Sequence, residues 1–246
     1  MRNLGLMDPA FLGGLVGGVL WTPAQITTAL WLDAADSSTI TTVGGAVSEW
    51  RDKSGNVRHV SQATSSNRPI YVTNSLNGRP GIDWGSAINP KQLNRSPISY
   101  SMNRVYGVAD WNGSSTFSSY EALASFGGVG DGNAIQGNIG GNALFGGTSL
   151  FLNGNQSSTS TVLPTISQPF VFAAGQDTTG TRIAIFIGGD GNPDRGWRGL
   201  IYEIVLSSSS LSLDYRQRLE GYLAHKWGLT ANLPNDHPFK VSPPYV

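Results

Sequence analysis

Four glutamates (Glu49, Glu121, Glu203 and Glu220) and three histidines (His59, His225 and His237) are the side chains of this 246-residue chain best suited to acid–base work, and it has no cysteine. Retaining glycoside hydrolysis needs two carboxyls about 5 Å apart across a sugar. On one strand that requires glutamates two or four residues apart. No two of these are so placed, and Glu220 falls in a helical stretch. A serine triad needs a histidine beside a serine and an acid. His59 sits in a polar run, His225 in the helix and His237 before Pro238. Each reads as structural, with His225 and His237 bonding backbone carbonyls or packing against Trp227. Gly127-Gly128-Val129-Gly130-Asp131-Gly132 echoes a nucleotide loop but lacks the helix that has to follow, and there is no P-loop. The expectation is a chain that is not an enzyme.

Binding chemistry has more candidates. Asp190-Gly191-Asn192-Pro193-Asp194 sets oxygen donors at alternate positions, as calcium loops do, so Asp190, Asn192 and Asp194 could hold calcium. The twelfth-position glutamate of an EF-hand is missing, since Ile201 stands there, and a hairpin turn would use the same residues without metal. No other cofactor is expected. Trp84, Trp111 and Trp197 each lie beside turn residues and could stack on a glycan; the alternative is core packing. Arg51 or Asp52 reads as a buried partner of the tail or of Arg68. Arginine exceeds lysine, which favours fixed bidentate pairs over loosely solvated charge.

The elements that must position these residues follow from composition and pattern. Sixteen basic residues balance 16 acidic ones, which removes the basic footprint of nonspecific nucleic-acid binding. Lack of cysteine excludes disulfides, thiolate zinc sites and iron–sulfur clusters. Charged residues are 13% of the chain, against roughly 25% in an average domain, so the surface is one that expects to be covered.

Residues 1–25 are apolar and glycine-rich. Asp8 and Pro9 interrupt the run, no small-x-small cleavage site follows, and it is too short to span a bilayer. No membrane partner is expected. The segment reads either as a strand packed on its own domain or as an anchoring arm, with Leu4, Leu6, Phe11, Leu12, Leu15, Val16, Leu20 and Trp21 as its contacts.

From residue 26 to 246 the pattern is all-β, with short apolar or alternating runs between Gly, Asn, Ser and Asp clusters. Ile183, Ile185 and Ile187 share one strand face by their period of two. One helix spans 212–227: Ser212 caps it, Gly228 closes it, and Tyr215, Leu219, Tyr222, Leu223 and Trp227 form its apolar stripe, with Arg216 and Glu220 paired on the outer face. A proline-rich tail then runs extended.

Three motifs carry a family resemblance. Leu30-Trp31-Leu32-Asp33-Ala34-Ala35-Asp36, Trp50-Arg51-Asp52-Lys53-Ser54-Gly55-Asn56 and the close Glu220-Gly221-Tyr222-Leu223-Ala224-His225-Lys226-Trp227-Gly228-Leu229 resemble the LamG-like, concanavalin A-like jelly-roll domains of tailed-bacteriophage virion proteins. Asn67-Arg68-Pro69 and Leu233-Pro234-Asn235-Asp236-His237-Pro238 belong to the same signature, which covers about residues 28–240. Asp83-Trp84-Gly85-Ser86-Ala87-Ile88 departs from the turn that relatives carry there. The resemblance implies a jelly-roll β-sandwich with one C-terminal helix and an extended N-terminal arm. It also implies a non-enzymatic capsid decoration protein on the virion surface. Such a protein docks through its arm on the major capsid protein or another virion protein, and a homotrimer would fit local threefold sites. The alternative expectation is a carbohydrate-binding module that holds host glycans on a tail fibre or surface appendage.

Overall fold

A computed structural model describes residues 18–113, 116–127, 134–137, 139–140, 144–145, 147, 149–157, 163 and 168–246, with backbone alone at 144–145 and 176–178. The strands are β1 (Thr28–Asp33), β2 (Ile40–Val43), β3 (Ala46–Trp50), β4 (Val60–Ser61), β5 (Ile70–Leu76), β6 (Arg79–Asp83), β7 (Leu93–Arg95) and β8 (Tyr100–Ala109). They continue as β9 (Ala122–Ser125), β10 (Ala134–Gly137), β11 (Leu144–Phe145), β12 (Ser149–Leu152), β13 (Asn155–Ser157), β14 (Phe170–Arg182), β15 (Ile185–Ile187) and β16 (Leu200–Ser207). One α-helix follows, α1 (Leu213–Trp227).

The named strands pair antiparallel in one ladder, β11-β10-β9-β15-β7-β4-β3-β5-β6-β16-β8-β14-β12-β13, with β1 beside β16 and β2 beside β3. Residues far apart along that order share one core. Leu93 of β7 and Ile185 of β15 are buried in the same cluster as Val105 of β8, Phe172 of β14 and Leu206 of β16. The ladder therefore folds over on itself, and the protein is an all-β jelly-roll-type sandwich with a C-terminal helix. The run at 182–187 is broken: β14 ends at Arg182, β15 starts at Ile185, and Ile183 is exposed, so it does not share the core face of Ile185 and Ile187.

A second core lies outside the sandwich, where α1 covers one sheet. Leu219, Leu223, Ala224 and Trp227 pack on Tyr106 and Val108 of β8, Val171 and Ala173 of β14, and Tyr202 and Val205 of β16. The helix bounds follow local chemistry. Ser212 Oγ accepts from the Tyr215 N–H, Asp214 complements the first turn, and Gly228 ends the helix at φ 71°. Two details differ from the helical-wheel expectation. Tyr215 is exposed. Arg216 does pair with Glu220 at 2.7 Å, but Glu220 is buried, because the tail folds back over it and brings His237 Nε2 to 3.4 Å.

Both ends of the described chain meet beside α1. Trp21 N–H donates to Pro244 O, Val246 N–H donates to Val19 O, and Leu20 bridges to Tyr245. Trp21 is thus buried in its own domain, which removes it from the anchoring contacts expected of the arm. Its ring is held edge-on to Tyr222 at 6.3 Å. Leu20 is exposed, and Leu4, Leu6, Phe11, Leu12, Leu15 and Val16 lie outside the described residues.

Candidate functional site

The densest polar chemistry among the described residues is set by a bulge. On β16 the register against β8 runs Ile201↔Ala109 and then Glu203↔Val108, so Tyr202 is an extra residue. A bulge re-aims side chains. Strict alternation would send Glu203 into the sandwich core with Ile201; instead Tyr202 and Glu203 both serve the helix side. The Tyr202 ring lies 5.3 Å from Trp227, and Glu203 is enclosed completely.

Four donors surround this carboxylate. Trp31 Nε1 (2.8 Å) and Tyr222 Oη (2.9 Å) donate to Oε1, while Lys226 Nζ and Trp227 Nε1 donate to Oε2, both at 2.7 Å. Asp33 lies directly opposite Glu203 across the β1–β16 pair, a like-charge neighbour that would be destabilising if bare. Lys226 resolves this by also binding Asp33 Oδ1 at 2.7 Å, and Lys53 spans Asp33 and Asp36 at 2.8 Å each. The result is a chain of alternating charge, Asp36–Lys53–Asp33–Lys226–Glu203. Burial raises the Glu203 carboxyl above the ordinary range against the pull of Lys226, with Asp33 raising it further. Burial, and then the Glu203 charge, push the Tyr222 phenol well up. Hydrogen bonds from Lys53 and Ser38 lower the Asp36 carboxyl.

Two grooves open beside this chain. One, of about 290 Å³, is lined by Ala24, Ile26, Thr27, Thr28, Trp31, Lys53, Ser54 and Asn56. Its ring wall is Trp31, held by the Glu203 bond and by Lys53 Nζ 4.6 Å from the ring centroid. Asp52 fixes the floor: Oδ1 accepts from Trp31 N–H and Ser54 N–H, and Oδ2 from Ser54 Oγ and Arg58 N–H. That occupies Asp52 with its own loop, not with the tail or Arg68, while Arg51 is exposed and pairs with Glu49. The other groove, of about 310 Å³, lies along α1 between Trp21, Tyr222, Lys226 and the tail prolines Pro243 and Pro244.

The sequence-derived candidates fall elsewhere. Trp84, Trp111 and Trp197 are 0–3% exposed and belong to the sandwich core, so they offer no face to a glycan. Trp197 Nε1 donates to Asp110 O, and Trp111 Nε1 donates to Glu121, itself bound by Arg198 at 2.5 and 2.8 Å. Asp190 is buried on Arg195 at 3.1 Å, its Oδ1 accepts from Asn192 N–H, and Asn192 Oδ1 accepts from Asp194 N–H. These side chains cap backbone in a turn, the use that needs no metal. Among the described residues no group of three or more His, Asp or Glu is gathered for a metal. His225 Nε2 meets Phe239 O at 2.8 Å and His59 Nδ1 accepts from Asp52 N–H, both structural.

Glu203, Asp33, Lys53 and Lys226 were not singled out from the sequence. The signal was present: a glutamate inside the apolar run Leu200–Leu206 needs buried partners. The first and third resemblance motifs supply them, as Trp31, Tyr222, Lys226 and Trp227, and the second supplies Lys53 to Asp33.

No protein-family model matches the chain, and no curated protein is significantly similar to it in sequence. Among solved structures it is similar to a GH54 α-L-arabinofuranosidase variant soaked with 4-nitrophenyl α-L-arabinofuranoside, at 16% identity and TM-score 0.45, covering 86% of this chain and 60% of that one. A second is an arabinofuranosidase complexed with arabinofuranosyl-α-1,2-xylobiose, at 16% identity and TM-score 0.43, with 86% and 59% covered. A third is a GH54 α-L-arabinofuranosidase soaked with a cyclic sulfate inhibitor, at 15% and 0.44, with 86% and 60% covered. The chain spans about 60% of the length of these enzymes. The finding corrects two expectations, the non-enzymatic capsid decoration protein and the exclusion of an enzyme: the structures it brings up are glycosidases. The likeness concerns the course of the chain, and no residue role is carried over from it.

Proposed function

We propose that the chain is a carbohydrate-binding β-sandwich module that takes its sugar in the groove beside Trp31. One observation carries this reading. Six of the seven tryptophans are at most 3% exposed, and Trp31 alone is half-buried, as the wall of a groove ringed by Thr27, Thr28, Ser54 and Asn56. A fixed aromatic face beside hydroxyl and amide groups suits a pyranose, which presents an apolar C–H face and an equatorial rim of hydroxyls. Pre-setting the ring through Glu203 and Lys53 lowers the entropy lost on binding. The motifs that resemble LamG-like domains supply Trp31, Lys53, Ser54 and Asn56 of this groove, which supports the same reading.

Affinity electrophoresis of the full chain through gels cast with neutral and acidic polysaccharides tests it. Retardation by at least one polysaccharide is expected. Trp31→Leu should weaken it about twofold to tenfold, since an aromatic contact is worth roughly 0.5–1.5 kcal/mol beyond area. Unretarded migration in every gel, or full retardation of a folded Trp31→Leu variant, would refute the proposal.

A further inference from the structure

The groove along α1 has a different chemistry from the one beside Trp31. Its lining includes no aspartate or glutamate, and three basic side chains stand in it: Arg79, His225 and Lys226. Two of these are already engaged. Lys226 is held by Glu203 and Asp33, and His225 Nε2 by Phe239 O. Arg79 is exposed and its side chain has no ion pair or hydrogen bond among the described residues, so its guanidinium offers its donors outward.

The position of Arg79 is nevertheless fixed. It follows Asn77-Gly78, a two-residue turn with φ 51° and 78°, and faces Leu76 across it. Positive φ at both central residues is the type I′ hairpin geometry. The same turn is tied to the helix, because Asn77 Nδ2 donates to Trp227 O at 2.7 Å. The α1 C-terminus and the β5–β6 hairpin are therefore one unit that holds Arg79 beside Tyr222. The opposite walls, Leu20, Trp21, Pro243 and Pro244, are apolar.

We infer that this groove is a second sugar subsite, selective for a uronic acid, whose carboxylate pairs with the Arg79 guanidinium while its ring lies on Tyr222 and the tail prolines. Two points support this occupant. An unpaired guanidinium matches a carboxylate in bidentate geometry. A groove of about 310 Å³ has room for roughly two pyranose rings. The inference rests on the proposed carbohydrate binding. It goes further in naming the sugar class and the residue that selects it. Because segment 20–28 contributes to both grooves, one acidic oligosaccharide could be read at both.

The test is binding of oligogalacturonate, its methyl ester and poly-L-glutamate to the full chain, by calorimetry, with Arg79→Met and Arg79→Lys beside wild type. Arg79 is an exposed strand-edge residue, so both variants should fold, and matching circular dichroism checks this. Oligogalacturonate is expected to bind wild type at least tenfold more tightly than the ester. Arg79→Met should erase that preference and Arg79→Lys keep part of it. Equal binding of acid and ester, unchanged by Arg79→Met, would overturn this inference while leaving Trp31-dependent glycan binding intact. Poly-L-glutamate binding as tight as oligogalacturonate would also overturn it, by showing a site for acidic peptide. Absence of binding by every glycan, neutral ones included, would overturn both this inference and the carbohydrate reading.

Discussion

Replacing Glu203 by glutamine keeps the shape of the side chain and removes one acceptor oxygen and the charge. Four donors converge on the carboxylate: Trp31 Nε1, Tyr222 Oη, Lys226 Nζ and Trp227 Nε1. Glutamine offers one oxygen, so two of the four would face an amide NH2. A stranded buried donor costs about 1–3 kcal/mol, and breaking a buried ion pair from one side costs about 3–5 kcal/mol. Lys226 keeps Asp33 as a partner at 2.7 Å, so its charge is not left unpaired and the two costs do not add in full. The expected cost of Glu203→Gln is about 3–5 kcal/mol, which for a domain of this size is a drop of roughly 6–20 °C in Tm. Urea unfolding at constant m gives the number directly. The exposed pair Arg51–Glu49 is the control, and Arg51→Ala should cost less than about 0.5 kcal/mol.

The pH dependence carries a second signature. The folded carboxyl of Glu203 is raised by burial, so between its unfolded and folded values the native chain holds the extra proton. Its contribution to stability is therefore fully present below the ordinary glutamate range and falls as pH rises through the raised value. The difference between wild type and Glu203→Gln should accordingly vary across that window and level off above it. A Glu203→Gln variant within about 1 kcal/mol of wild type at all pH values would refute the caged carboxylate.

Further predictions rest on separate contacts. Gly221→Ala should destabilise by about 1–3 kcal/mol, since a Cβ there would run into Phe239 of the returning tail; this outweighs the roughly 1 kcal/mol that alanine gains over glycine in a helix. Its urea midpoint decides, and a stabilised variant would contradict the tail packing. Asn77→Ala should cost about 2 kcal/mol, from a left-handed φ of 51° and the lost bond to Trp227 O, as read by thermal unfolding. Millimolar calcium or EDTA should leave Tm within about 1 °C, because a ligand stabilises only where it binds the folded state and Asp190 and Asn192 already bond Arg195 and backbone N–H groups. A calcium-dependent rise would restore the metal loop.

The all-β sandwich and its helix were legible because they depend on local signals: alternation, Gly and Asn turns, a Ser212 cap and a Gly228 stop. The site was not, because it depends on a bulge. Glu203 and Ile201 are two apart, and period-two reasoning sends both to the core; only the extra residue at Tyr202 turns Glu203 to the helix. The same limit explains the tryptophans. Trp84, Trp111 and Trp197 sit beside turns in the sequence, yet those turns lie over the sandwich core, while Trp31, in the middle of an apolar strand, ends half-buried at a groove. The motifs around Trp31, Asp52 and Trp227 were visible as motifs. What they lacked was the contact that unites them, since Trp31 and Glu203 are 172 residues apart.

The most direct measurement of the central claim is a glycan titration followed through the indole N–H resonances of the seven tryptophans in a 15N-labelled sample. The account predicts that the Trp31 signal shifts saturably while those of Trp50, Trp84, Trp111 and Trp197, enclosed in the sandwich core, stay in place. Saturable shifts confined to the core tryptophans, with Trp31 unmoved, would contradict it.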